Sequence, residues 1–432
     1  MLTYIKDYVK RHRKGILVTT AIASGSYFAG KYATRKIRDL QDKAAADRLA
    51  KENLKRRFQQ NQNDCVFTVL SLLPTLGDQL LDAMNIEKDW AKLQESRKLE
   101  KIEARLRKER EIAESSKESI EETAPLDSSL GSLSTSVQLE EADHPLPAGI
   151  LDKKEKHLLW EEIKIKSFTR SLTSIYTVTL LTLLTHIQLN LLGRLTYIWS
   201  VSVLNKNEPT IRLQQEGQED VGFIHPQVER MFLSATWWLL HAGWKGLAAH
   251  VQEAVEEHVS SIPLKSTLNY QEAIALLDKI RHRIEYGEDG QPISYRAWML
   301  PETKEQEAEL MTGAGFEKEE IMQDGSLDRL LDETKDFIDS PDFNQVLKSC
   351  LDEVFQVFDQ HAFVSALLPQ QDEMPHMDND EKRVSLANLL PTIGRQAHLV
   401  IAGNEYLNAF AYIKELQAFS ALIYTHYDDQ DA

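Results

Sequence analysis

Between Ser171 and Gly193 the chain reads SLTSIYTVTLLTLLTHIQLNLLG, 23 residues without a formal charge. A run of this length must be hidden from water on every side. As a helix it would rise about 35 Å at roughly 1.5 Å per residue, enough to cross a bilayer. It also carries five threonines, two serines, His186, Gln188 and Asn190. Polar groups at that density are costly in lipid unless other protein groups satisfy them. The stretch therefore reads as the central buried helix of a bundle, with His186 as a hydrogen-bonded core histidine.

The rest of the chain fits that frame. Eighteen glycines and thirteen prolines are few for 432 residues, and no run alternates apolar and polar residues as a half-buried strand would. An all-α architecture follows. Helical segments are expected at about 226–259, 268–286, 327–338, 342–363, 384–402 and 406–424, and Ser340 with Pro341 forms a helix start in which serine caps and proline opens the first turn. In residues 64–84, Val66, Val69, Leu70 and Leu73 have helical spacing until Pro74, so a kinked or broken core helix is expected. Residues 90–115 are highly charged with a narrow apolar stripe (Leu99, Ile102, Leu106), which suits an exposed helix. Residues 111–149 read as a disordered loop: between 111 and 143 nine carboxylates face the single Lys117, with eight serines between Ser115 and Ser136, too little apolar surface to offset ordering entropy.

Near the N-terminus, Gly15–Gly30 is uncharged, and the span extends to Thr34 if Lys31 snorkels its ammonium to the interface. Gly15, Ile16, Leu17, Val18, Ile22, Tyr27 and Phe28 mark this stretch as a transmembrane anchor, 15–34. Lys10, Arg11, Arg13 and Lys14 precede it in a basic stub, 1–14. Lys31, Arg35, Lys36 and Arg38 follow it, so charge bias alone leaves its orientation open. The stretch lacks a convincing small-x-small cleavage site and runs directly into a charged helix, and it has no polar arginine face, which argues against secretory and mitochondrial presequences. Residues 31–60 hold ten basic and four acidic residues. This juxtamembrane helix reads equally as a solvated spacer and as a segment attracted to anionic lipid. The expected organisation is thus stub, anchor, juxtamembrane and first core helices (35–110), acidic loop (111–149) and the remainder of an elongated cytosolic helical bundle (150–432).

An excess of 67 carboxylates over 50 Lys and Arg, net charge −17, is the wrong sign for a nucleic-acid partner. His241, His250 and His258 share a helix without the i, i+4 spacing of a metal pair, and neither HExxH nor GxSxG occurs. Cys65 and Cys350, the two cysteines, lack a CxxC partner. No enzyme, metal or cofactor is expected. In KKEKHLLWEEIKIKSFTRS, Leu158, Leu159, Ile163, Ile165 and Phe168 form an apolar face, and Trp160 sits one position off it, as a partly buried core residue or as a partner anchor. Lys156, Lys164 and Lys166 around it would give a hydrophobic groove a positive rim suited to an acidic amphipathic helix.

A set of blocks then converges: GKYATRKIRDLQ after the anchor, LSLLPTL at 70–76, WEEIKIKSFTRS at 160–171, IQLN at 187–190 and DSPDFNQVLKSCLDEVF at 339–355. In this order, over nearly the full length, they resemble the peroxisomal biogenesis factor three (peroxin three) family, with an insertion at 97–149 nearer the fungal members. The resemblance implies a non-enzymatic, single-pass peroxisomal membrane protein with its N-terminus in the matrix and its bulk in the cytosol. It implies a docking groove for peroxin nineteen, the soluble receptor and chaperone that brings membrane-protein cargo, with Trp160 as central anchor and Lys156, Leu159, Ile163 and Asn388 as groove residues. Asn388 stands where the family often has a lysine, which leaves Lys156 or Arg395 to compensate. A tether role that recruits inheritance or autophagy adaptors is the alternative the resemblance also carries. The acidic C-terminal DDQDA is not a matrix-import signal, and peroxisomal membrane lipid is the remaining expected partner.

Overall fold

The structure, a computed structural model, describes residues 13–118, 150–206, 223–317, 325–368 and 382–425, the backbone alone for residues 13–30 and at some further positions. The chain divides into two units, Met1–Asn63 and Asp64–Ala432. In the first unit the described residues are helical, part of α1 (Arg13–Ala83). Every residue from 15 to 34 lies on that helix, and its described side chains between Lys31 and Asn63 are mostly exposed. Lys10 and Arg11 lie outside the described residues, as do positions 119–149 of the expected acidic loop.

The second unit is a helical bundle. After the last turns of α1 come α2 (Ile86–Glu118), α3 (Lys153–Lys206), α4 (Pro226–Leu233) and α5 (Thr236–Trp238), which runs through a π-helical turn (Leu239–Gly243) into α6 (Trp244–Val259). Then follow α7 (Tyr270–Glu285), α8 (Arg296–Met299), α9 (Lys304–Gly313), α10 (Ser326–Asp339) and α11 (Pro341–Asp359). A second π turn (Gln360–Val364) leads to α12 (Ser365–Leu367), and α13 (Leu386–Ala402), α14 (Asn404–Phe410) and α15 (Lys414–Thr425) close the fold. The one sheet among the described residues pairs β1 (Thr267–Leu268) with β2 (Val384–Ser385), antiparallel.

The uncharged run is the centre of this bundle. Of the apolar window within residues 153–201, 94% is buried inside the protein, where α3 packs against α13, α6, α15, α11 and α2. Most of its polar side chains are satisfied, in two ways, while the hydroxyls of Thr173 and Thr185 are buried without a hydrogen-bond partner. Several bond back to the preceding turn: Ser174 to the carbonyl of Arg170 (2.8 Å), Thr177 to Thr173 (2.7 Å), Thr179 to Ile175 (2.8 Å) and Thr182 to Val178 (2.8 Å). Others clasp neighbouring helices: Ser171 Oγ donates to the Ile393 carbonyl (2.6 Å), Gln188 to that of Phe232 (2.6 Å), and His186 Nδ1 meets Ser420 Oγ (2.9 Å). A polar face that would burden a lipid-facing helix thus specifies which helices α3 meets.

Three details differ from expectation. α1 passes through Pro74 without a break, which excludes the broken one of the two expected forms. Proline removes one backbone donor, and burial of Val69, Leu73, Leu76 and Leu80 holds the turns on either side of it. α2 runs on to Glu118, eight residues into the stretch expected as loop. The segment 226–259 is split by a turn at Ser234–Ala235, and 406–424 at Ala411–Ile413. Ser340 caps α11 as expected, its hydroxyl accepting from Phe343 N–H, with Pro341 first in the helix.

Candidate functional site

The start of α3 is built locally. The backbone N–H of Asp152 donates to the Glu155 carboxylate (2.9 Å), while the Asp152 carboxylate accepts from Lys153 N–H (2.6 Å), an acidic first turn that suits the positive end of a helix. Ser96 Oγ on α2 accepts from Leu151 N–H (3.1 Å) and ties this start to its neighbour. From there α2 and α3 run side by side in opposite directions. Arg170 meets Glu87 (2.8 Å), Lys166 meets Asp89 (2.8 Å), and Lys156 is paired with Glu100.

Trp160 lies in the middle of this seam. Its ring stands edge-on to Trp90 (centroids 5.0 Å apart, planes at 83°), with the Arg97 guanidinium 5.7 Å from its centroid. The indole is half-buried, and it also lines a groove of about 980 Å³. Three walls enclose that groove: Lys153, His157, Trp160 and Glu161 from one face of α3, the loop 260–265 after α6, and Ser385 and Ala387 at the start of α13. The loop is fastened to α13 by Leu386 N–H to the Ser266 carbonyl (2.9 Å) and Ala387 N–H to that of Leu264 (3.0 Å). Trp160, Ile262, Pro263, Leu264 and Ala387 make an apolar seat, and the cations Lys153 and Lys265 stand at its margin. A second cleft, of about 620 Å³ between α6 and α7, is lined by charged and aromatic residues, among them Glu257, Asp278, Lys279, His282, Arg283 and Tyr286.

The predicted groove residues separate accordingly. Trp160 is in the groove. Ile163 is fully buried in the core and Leu159 half-buried against it, and neither lines the groove. Lys156 is engaged by Glu100 on α2. Asn388 is exposed, one residue beyond the lining Ala387, and Arg395 is exposed further along α13. The three lysines expected to form a positive rim do not form one. Lys166 is paired with Asp89 and Glu162 (2.6 Å), and Lys164 is completely buried. The lining that the sequence did not point to is Lys153, His157 and Glu161 on α3, the loop 260–265, and Ser385 with Ala387. Lys153 was legible as i−7 from Trp160, the same helix face; the loop lies about a hundred positions away in sequence.

The histidines and cysteines singled out in the sequence lie outside this groove. His241, His250 and His258 each meet a backbone carbonyl, of Trp237 (3.1 Å), Ile284 (3.1 Å) and Ala254 (3.0 Å). Among the described residues no group of His, Cys, Asp or Glu has the geometry to hold a metal. Burial pushes the thiols of Cys65 and Cys350 up to about 12, far from thiolate chemistry.

The family model described as Peroxin-3 matches residues 7–426. Over 98% of its length the chain is 28% identical to Peroxisomal biogenesis factor 3 of Yarrowia lipolytica, 99% of which is covered. The human protein of the same name is 26% identical over 98% of this chain and 97% of its own length. Peroxisomal membrane protein PEX3 of Komagataella phaffii is 30% identical over 66% of this chain and 60% of its own.

Proposed function

The chain belongs to the Peroxin-3 family, with a role in peroxisome biogenesis, and on that premise we propose that it is the docking receptor at the peroxisomal membrane for peroxin nineteen and the membrane-protein cargo it carries. Residues 15–34 anchor the chain in a single pass, N-terminus in the matrix, and the bundle faces the cytosol. The apolar side of an amphipathic helix of peroxin nineteen seats in the groove against Trp160, and its acidic flank meets Lys153 and Lys265. The observation that carries this reading is the half-buried indole lining a groove of about 980 Å³ whose apolar seat is edged by Lys153, Lys265 and Glu161. An aromatic anchor in such a pocket typically accounts for about 2 kcal/mol or more of binding, whereas exposed cations chiefly tune association rate and salt dependence. Cargo handover then needs release of the helix and no covalent step.

A photo-crosslinking residue at Leu264 in the full chain should capture the N-terminal helix of peroxin nineteen, while one at Tyr286 should not; equal capture at both positions would refute the site. For the anchor, residues 1–45 fused to a fluorescent reporter should mark peroxisomes, and a mitochondrial or secretory pattern would refute the address.

A further inference from the structure

Lys164 has a fully buried side chain four residues beyond the groove tryptophan. A buried ammonium is costly unless its donors are all used. Here they are: Nζ lies 2.6 Å from Glu161 Oε2 and donates to the carbonyls of Ile262 (2.9 Å) and Ser260 (3.2 Å). Ammonium has three protons, and three acceptors surround it. Two of those acceptors, the carbonyls of Ser260 and Ile262, lie within three residues of the C-terminal end of α6, where the helix dipole favours a cation. They belong to the loop that forms the groove's second wall, and the third acceptor, Glu161, lines the groove itself.

We propose that Lys164 is the positioning residue of the groove. It bolts the loop 260–265 to α3 and so sets the width of the slot between that loop and Trp160. It touches no partner; it acts through the loop. This inference rests on the docking reading above for its consequence, but the bolt itself does not. A lysine suits the task because its single compact charge serves three acceptors converging from two elements, where methionine of similar length would leave all three unmet.

The test uses the full chain in detergent micelles, with a synthetic peptide of the peroxin nineteen N-terminal helix as probe. Two quantities are read: hydrogen exchange at the Leu386 and Ala387 amides, which the loop carbonyls hold, and peptide affinity by calorimetry. Lys164→Met should speed exchange at both amides at least tenfold and weaken the peptide about tenfold. Lys164→Arg should restore part of both, and Lys166→Met, whose partners lie on α2 and α3, should change neither. If Lys164→Met does not fold, Glu161→Gln should give the same two changes in smaller degree. Unchanged exchange in Lys164→Met, or in Glu161→Gln where that variant stands in, would overturn the proposal. Faster exchange with unchanged peptide affinity, while Trp160→Ala still weakens binding, would overturn the link from bolt to groove and leave docking intact. A wild-type chain that ignores the peptide would overturn the docking reading, with exchange still deciding whether Lys164 holds the loop.

Discussion

His186 makes the burial of α3 measurable. Its imidazole is in the core with Ser420 Oγ as partner, and burial lowers its pKa from 6.5 to about 4. The folded chain therefore keeps the ring neutral where the unfolded chain already protonates it. Stability is unaffected by this group above about pH 6.5 and is withdrawn as pH falls toward 4. Each pH unit in that interval costs about 1.4 kcal/mol, so the whole interval withdraws about 3 kcal/mol. Other groups titrate in the same range, and the comparison that isolates His186 is wild type against His186→Gln. Urea unfolding of both, followed by near-ultraviolet circular dichroism at about pH 7 and about pH 4.5, should show the wild type losing about 2–3 kcal/mol more than the variant. Equal losses would mean that the ring is charged or hydrated in the folded state, and that α3 is not the dry centre of the bundle.

Two further outcomes follow from the packing. At Gly243, in the first π turn, an added Cβ would lie 1.8 Å from the Trp298 carbonyl oxygen, whereas at Gly394 the nearest neighbour is Ser167 Oγ at 3.5 Å. Gly243→Ala should cost about 3 kcal/mol or prevent folding, while Gly394→Ala should be neutral or stabilise by up to about 1 kcal/mol, as thermal midpoints will show. Glu87 is raised in pKa by partial burial, but hydrogen bonds from Arg170 and His398 outweigh that and bring it down to about 2. Its contribution is present above about pH 4.5 and is lost as pH falls toward 2. Glu87→Gln should flatten the acid limb of the stability profile there, and an unchanged limb would sink the assignment.

What was legible in the sequence was whatever local periodicity controls. The uncharged run could only be core or membrane, and its threonines and His186 favoured core. Ser340–Pro341 announced a helix start through chemistry confined to four residues. Trp160 stood off its apolar stripe, and it does stand at a groove edge. The lysine rim failed because a sequence shows the sign of a charge but not its distant partner: Glu100 lies 56 positions from Lys156, and Asp89 lies 77 from Lys166. The loop wall was hidden for the same reason, since it reaches Trp160 only through the fold. The helix α9 was missed although its signal was present, for Thr303 and Gln306 form a capping box that the short, acidic segment disguised as a loop.

In the proposed docking Trp160 anchors a helix of peroxin nineteen in this groove. Calorimetric titration of the full chain with that helix, for wild type, Trp160→Ala and Lys156→Ala, tests it most directly. Trp160→Ala should weaken binding by about 2 kcal/mol or more, roughly 30-fold in Kd, while Lys156→Ala, whose ammonium is already engaged by Glu100, should stay within about threefold of wild type. Equal affinity of wild type and Trp160→Ala would refute this docking mode.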